Sequence, residues 1–162
     1  IRTCRAHLNI YCNSCRGSNI TCSDPVSAKW LILVVMETSI NGDKKLTVVL
    51  GASPNPARYS YLAVSRLKAH GHPVVAIGKR EAQIADTPVI KDHPAVENVD
   101  TVTLYLNPQR QQEYYDYILQ LRPKRIIFNP GTENEELEQL ASRHGIKPIE
   151  ACTLVLLSTG QY

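Results

Sequence analysis

From Leu46 onward, short apolar runs alternate with stretches in which apolar residues recur every three or four positions. Leu46 to Leu50 is apolar and β-branched on both faces, the pattern of a strand covered on both sides within a parallel sheet. Gly51 ends the run, and the small or turn-forming residues Ala52-Ser53-Pro54-Asn55-Pro56 follow. Ser60 is placed to cap a helix that continues through Tyr61, Val64, Leu67 and Lys68 to Gly71. Gly71-His72-Pro73 then turns the chain into a second strand, Val74 to Ile77. Two strands separated by one helix predict a right-handed βαβ unit.

Residues 81–98 are rich in Pro, Asp and His, with one short apolar piece at Pro88-Val89-Ile90 that reads as an edge strand, and a helical turn is expected after Pro94. His93 has no evident partner there and reads as a surface residue. Alternation from Asp100 to Leu106 predicts a third main strand, closed by Asn107-Pro108, with Asn as cap and Pro at the first helical position. The helix extends to about Leu121 with Tyr114, Tyr117, Ile118 and Leu121 on one face. Lys124 to Phe128 is the fourth strand, ended by Asn129-Pro130-Gly131-Thr132. Thr132 and Glu135 form a capping box for a helix over residues 133–144, which Gly145 terminates. A last strand at Lys147 to Ala151 and a tail through Leu157 complete a Rossmann-like, doubly wound α/β domain: five strands, mainly parallel, with helices on both faces.

Three loops thus stand at the C-terminal ends of strands: residues 51–59, 107–108 and 129–134. Open parallel sheets bind ligands at those ends, where the strand order reverses. Backbone N–H groups and the helix dipole behind Gly51 make the first loop an anion site, with Arg58 able to add a charge-assisted contact. Since every α/β domain has such turns, the loop alone reads equally well as plain structure. It is not a dinucleotide fingerprint, because only the first of three glycines is present. After the second strand, where NAD-binding folds carry an acidic residue, stand Gly78-Lys79-Arg80. They favour a ligand with a phosphate on its ribose over NAD, or are two exposed cations in a polar loop.

At 162 residues the chain has room for one domain with a real core. A hydrophobic content of 43%, a charged content of 20% and a net charge of +3 describe a globular protein without the clustered basic stripe of a nucleic-acid binder. Composition changes near Met36, the one methionine: four of the five cysteines (Cys4, Cys12, Cys15, Cys22) precede it. We expect Met36 to be the natural start and residues 1–43 to be a disordered or non-native extension. The cysteine spacing is not that of a paired zinc site. Trp30 to Val35 is far shorter than the roughly 20 residues that span a bilayer. The expectation is a cytoplasmic protein, bound to neither membrane nor nucleic acid, with a homodimer or an unknown protein partner left open.

Gly51-Ala52-Ser53 followed by Asn55-Pro56-x-Arg58-x-Ser60, Asn107-Pro108, Pro130-Gly131 with Asn134-Glu135, and Cys152 resemble the small CoA-binding-domain proteins. These are stand-alone relatives of the N-terminal domain of the succinyl-CoA synthetase α subunit. The resemblance covers about residues 44–162. It implies that Gly51, Ala52, Ser53 and Arg58 hold the pyrophosphate of coenzyme A, with Asn55 and Ser60 in the same loop. The adenosine end would lie near Ile77, Gly78 and Lys79, although Asn-Pro is frequent in the family where this chain has Gly78-Lys79. The pantetheine arm would pass Asn107 and Pro108 toward Asn129, Pro130 and Gly131.

None of His70, His72, His93 or His144 matches a catalytic pattern, and the synthetase's catalytic histidine belongs to a domain without counterpart here. Non-catalytic binding of coenzyme A or an acyl-CoA, as a sensor or carrier, is therefore expected. An NADP-dependent oxidoreductase fragment and a ligand-free interaction scaffold are the alternatives. Cys152 reads either as a thiol at the mouth of the cleft or as a small buried hydrophobe, the latter favoured.

Overall fold

The structure, a computed structural model, describes residues 44–162. The expectations for the leading segment, its start at Met36 and its four cysteines, lie outside the described residues. The elements are β1 (Thr47–Ala52), α1 (Tyr59–Ala69), β2 (Val74–Gly78), β3 (Ala82–Ile84), β4 (Thr87–Ile90), β5 (Thr101–Leu104) and α2 (Pro108–Gln111). A short 3₁₀ turn (Gln112–Tyr114) leads into α3 (Tyr115–Leu121), followed by β6 (Arg125–Phe128), α4 (Glu135–Arg143), β7 (Lys147–Glu150) and α5 (Thr153–Ser158).

One sheet runs in the order β3-β4-β2-β1-β5-β6-β7, and every pairing is parallel except β3 with β4. Its seven strands correct the five expected. The piece at Pro88-Val89-Ile90, expected as an edge strand, is β4 and is flanked on both sides; the unforeseen β3 pairs with it in a hairpin in which Ile84, Thr87 and Val89 turn inward while Gln83 and Pro88 face solvent. The turn that joins them, Ala85-Asp86, carries a left-handed alanine (φ 51°) instead of the glycine or asparagine that marks such turns in a sequence.

Successive residues of β1 feed two cores, because side chains alternate across a strand. Val48 and Leu50 join Val102, Leu104, Ile118, Ile126, Phe128 and Leu137 on the side of α3 and α4. Val49 joins Val64, Leu67, Ile84, Val89 and Leu157 on the side of α1 and α5, and the register irregularity between Leu50 and Ala52 brings Ala52 to that same side. Both faces of the mostly parallel sheet are thereby covered, and the paired central strands β1 and β5 are buried almost throughout. His93 packs on Tyr114 and Tyr117, with ring centroids 4.9 Å apart in each case. Among the described residues no helix is long and apolar enough to cross a membrane.

Several local expectations change. Arg58, not Ser60, is the N-cap residue of α1, and Ser60 is buried within the helix. Asn134 caps α4 by accepting from the Leu137 N–H (3.3 Å), while the Thr132 hydroxyl donates to the Asn129 carbonyl (2.8 Å), so the expected capping box does not form. Asn107 does cap α2, accepting from the Arg110 N–H (3.1 Å). The tail after β7 is a helix, α5, whose Thr153 and Leu157 reach the core.

Candidate functional site

The strand order reverses between β1 and β5: the chain goes out from β1 to β2 and β4, then returns to β5, β6 and β7 on the other side. At the C-terminal ends of these strands lies an open cleft of about 500 Å³. Gly51, Ala52, Ser53, Pro54 and Arg58 of the first loop line it, with Lys79, Arg80, Glu81 and Ala82 after β2 and Tyr105, Leu106 and Arg110 after β5. Four cations face one carboxylate there. Among the described residues none of the four cations is paired with a carboxylate.

The loop is held by its own polar groups. The Asn55 carboxamide oxygen accepts from the Ala57 N–H (3.0 Å), and the Asn55 carbonyl accepts from the Arg58 N–H (3.0 Å). This turns the chain onto the start of α1, whose N-terminus has no side-chain cap. Leading helix N–H groups without a side-chain partner carry the positive end of the helix dipole, which suits an anion. Gly51 is essential to the approach: its φ is +90°, and a Cβ there would stand 2.8 Å from the Tyr105 carbonyl oxygen. Gly78 is equally constrained, since a Cβ would run into the Ala52 carbonyl and the Val89 side chain.

Tyr105 separates the cleft from a more enclosed chamber of about 260 Å³, lined by Tyr59, Tyr105, Asn129, Pro130, Cys152 and Leu154. Cys152, half-buried, lies in its wall instead of deep in the core. The Tyr105 hydroxyl is buried and makes no hydrogen bond among the described residues, and burial raises its pKa far above the usual range. Asn129 is spent on the scaffold. Its amide donates to the Thr103 hydroxyl (2.8 Å) and the Leu104 carbonyl (2.9 Å), and its oxygen accepts from the Thr153 N–H (2.8 Å). Buried Gln111 ties the two neighbouring loops, donating to the carbonyls of Leu106 (2.9 Å) and Thr132 (2.7 Å) and accepting from Asn134 (2.9 Å).

Matching this chain to known families identifies the CoA binding domain over residues 45–158. The chain belongs to the CoA-binding domain family. It is similar to a crystal structure titled as an uncharacterised protein, at 52% identity and a TM-score of 0.73, covering 75% of this chain and 100% of the other. Cell-free ID.343 from Thermus thermophilus matches at 18% identity and TM-score 0.66, with 83% and 98% of the two chains covered. A hypothetical protein from Pyrococcus horikoshii OT3 matches at 20% and 0.65, with 78% and 89% covered. The last two are likenesses of fold. Among curated proteins none matches.

Within this CoA-binding domain the residues singled out from sequence are distributed unevenly. Gly51, Ala52, Ser53, Arg58 and Lys79 line the cleft, and Asn129 and Pro130 line the chamber. Ile77 is fully buried in the core, Ser60 is buried in α1, and Gly78 serves close packing. Asn55 shapes the loop, Asn107 and Pro108 start α2, and the Gly131 N–H donates to the Glu133 carboxylate (2.8 Å). Arg80, read from sequence with Lys79 as suited to a ribose phosphate, also lines the cleft; the cleft residues Tyr105 and Arg110 and the chamber residues Tyr59 and Leu154 were not foreseen as site residues. Arg110 lies three positions into a predicted helix start, and that spacing is the one signal that could have pointed to it.

Proposed function

We propose that this domain binds coenzyme A in the cleft between the ends of β1 and β5, without turning it over, as a sensor or carrier. The observation that carries the reading is the convergence of Arg58, Lys79, Arg80 and Arg110 on one cleft beside the uncapped start of α1. Coenzyme A carries a pyrophosphate and a ribose phosphate, and such an array suits several phosphates held together. Gly51, Ala52 and Ser53 bring backbone to the pyrophosphate, Lys79 and Arg80 lie toward the adenosine end, and the pantetheine arm runs past Tyr105 to the chamber. Among the described residues neither the cleft nor the chamber contains a histidine, and the cleft's one carboxylate, Glu81, is exposed beside two cations. Binding without chemistry is the reading these groups favour.

Calorimetric titration of the full chain with coenzyme A, NADPH and NAD in parallel tests it. Saturable binding of coenzyme A is expected, weakened about tenfold by Arg58→Ala through loss of a charge-assisted contact. Raised salt weakens it further. Binding of NADPH alone would make the cleft a dinucleotide site. No binding of any of the three would leave a scaffold that acts through a protein partner.

A further inference from the structure

The chamber beyond Tyr105 differs chemically from the cleft it adjoins. Among the described residues no charged one lines it. Its asparagine has both ends of the amide committed to Thr103, Leu104 and Thr153, and the Tyr105 hydroxyl is buried away from solvent. What remains toward the space is ring, proline and leucine surface together with the Cys152 thiol, a weak hydrogen-bonding group that behaves as a small hydrophobe. Tyr59 adds an unusual feature. It opens α1 and lines the chamber, yet is 71% exposed, so the described residues leave a large aromatic surface at this mouth uncovered.

We propose that this chamber receives the acyl group of a short-chain, uncharged acyl-CoA whose nucleotide end occupies the cationic cleft; the inference rests on the coenzyme A reading above. Tyr105 lines both spaces, and this shared wall commits the occupant: a ligand anchored by its phosphates in the cleft and passing over Tyr105 has its opposite end here. Free coenzyme A brings a thiol, for which the chamber has no dedicated partner. An apolar acyl group instead removes the surfaces of Tyr59, Tyr105, Pro130 and Leu154 from water. A dicarboxylic acyl group would bring a carboxylate to a site lined by no cation among the described residues, with a desolvation cost that none of them offsets. The size of the chamber, about 260 Å³, limits chain length.

Titration of the full chain with coenzyme A, acetyl-CoA, butyryl-CoA, succinyl-CoA and palmitoyl-CoA decides the matter. Affinity should rise from coenzyme A to butyryl-CoA by about fourfold per methylene buried, following the usual transfer free energy. Succinyl-CoA should bind on the order of tenfold more weakly than butyryl-CoA, and palmitoyl-CoA should gain nothing over butyryl-CoA. In Leu154→Trp, which narrows the chamber, the ratio of butyryl-CoA to coenzyme A affinity should fall toward one. A readout that needs no variant is the rate at which iodoacetamide alkylates Cys152, followed by peptide mass spectrometry. Butyryl-CoA should slow it more than coenzyme A at equal saturation. Equal affinity and equal protection by coenzyme A and butyryl-CoA, or a preference for succinyl-CoA, overturns the inference while leaving coenzyme A binding intact. Absence of binding by every species overturns the coenzyme A reading itself, and this inference with it.

Discussion

Gly51 is where backbone geometry and ligand chemistry meet. A side chain at this position would need a left-handed conformation and would press on the Tyr105 carbonyl, a backbone atom of the neighbouring strand's end that cannot swing aside. Gly51→Ala is therefore expected to destabilise the domain by about 2–4 kcal/mol, the sum of a left-handed penalty and overpacking. Chemical denaturation measures it, and wild-type stability in the variant would refute the tight approach. The glycine was visible in the sequence as a break after an apolar run; its reason was not, because Tyr105 is 54 residues further on. Asn129 teaches the converse. It sits at a strand end, where a ligand contact is expected, yet its whole amide is engaged by Thr103, Leu104 and Thr153. Buried Gln111 likewise bridges Leu106 and Thr132, a pairing that no local pattern announces.

Among the elements, the β3–β4 hairpin departs most from expectation. Its inward residues Ile84 and Val89 pack with Val64 and Leu67 of α1, so burial against a helix sustains strands too short to stand alone. The Lys68–Asp86 ion pair (3.3 Å) is largely exposed and adds little. Ala85 carries the cost of the tight turn, with φ at 51°. Ala85→Gly should raise stability by about 0.5–1 kcal/mol, less than the full left-handed penalty because glycine also loosens the unfolded chain. A thermal melt checks it, and a lower midpoint would contradict the assignment of strain to this residue. The helix expected from Pro108 to Leu121 is instead broken by the 3₁₀ turn Gln112–Tyr114. Its first turn is held by Gln111 side-chain bonds to two loops, Tyr114 and Tyr115 pack partly buried against the core, and the buried apolar face begins at Tyr117.

At the scale of the molecule, the end of the sheet opposite the cleft is stitched by polar groups. Asp100 accepts from Lys124 (3.0 Å) and from the Thr101 hydroxyl (2.9 Å) and lies 3.8 Å from Arg125. The Tyr162 hydroxyl meets Thr47 (2.6 Å), and its ring lies 4.7 Å from the Arg125 guanidinium. Burial works to raise the Asp100 pKa, but Lys124, Thr101 and Arg125 outweigh it and hold the carboxyl below its usual 3.8. His72, partly buried and close to Lys45, is held below its usual 6.5, and its Nδ1 accepts from the Lys45 N–H (3.1 Å). Both folded pKa values lie below the unfolded ones, so each group contributes stability that is fully present above its unfolded pKa and lost as pH falls through the folded one. Stability should thus decline in two steps, the first beginning below pH 6.5 and the second below pH 3.8. Denaturation midpoints against pH measure this, and His72→Gln should remove the first step; a first step that survives the substitution would assign it elsewhere.

The sequence by itself determined the α/β class, the main strands and the helices between them, because two-sided apolar runs, helical periods and glycine stops are local and additive. It also located the loop after β1 and the basic pair after β2, since strand ends in a parallel sheet are predictable from order alone. Only the tertiary structure decided that the strands number seven, that Arg110 joins Arg58, Lys79 and Arg80 on one cleft, and that Tyr59, Tyr105 and Cys152 enclose a chamber beside it. The physical reason is common to all three: each depends on packing between residues distant in the chain, where close approach and the loss of water choose the partners.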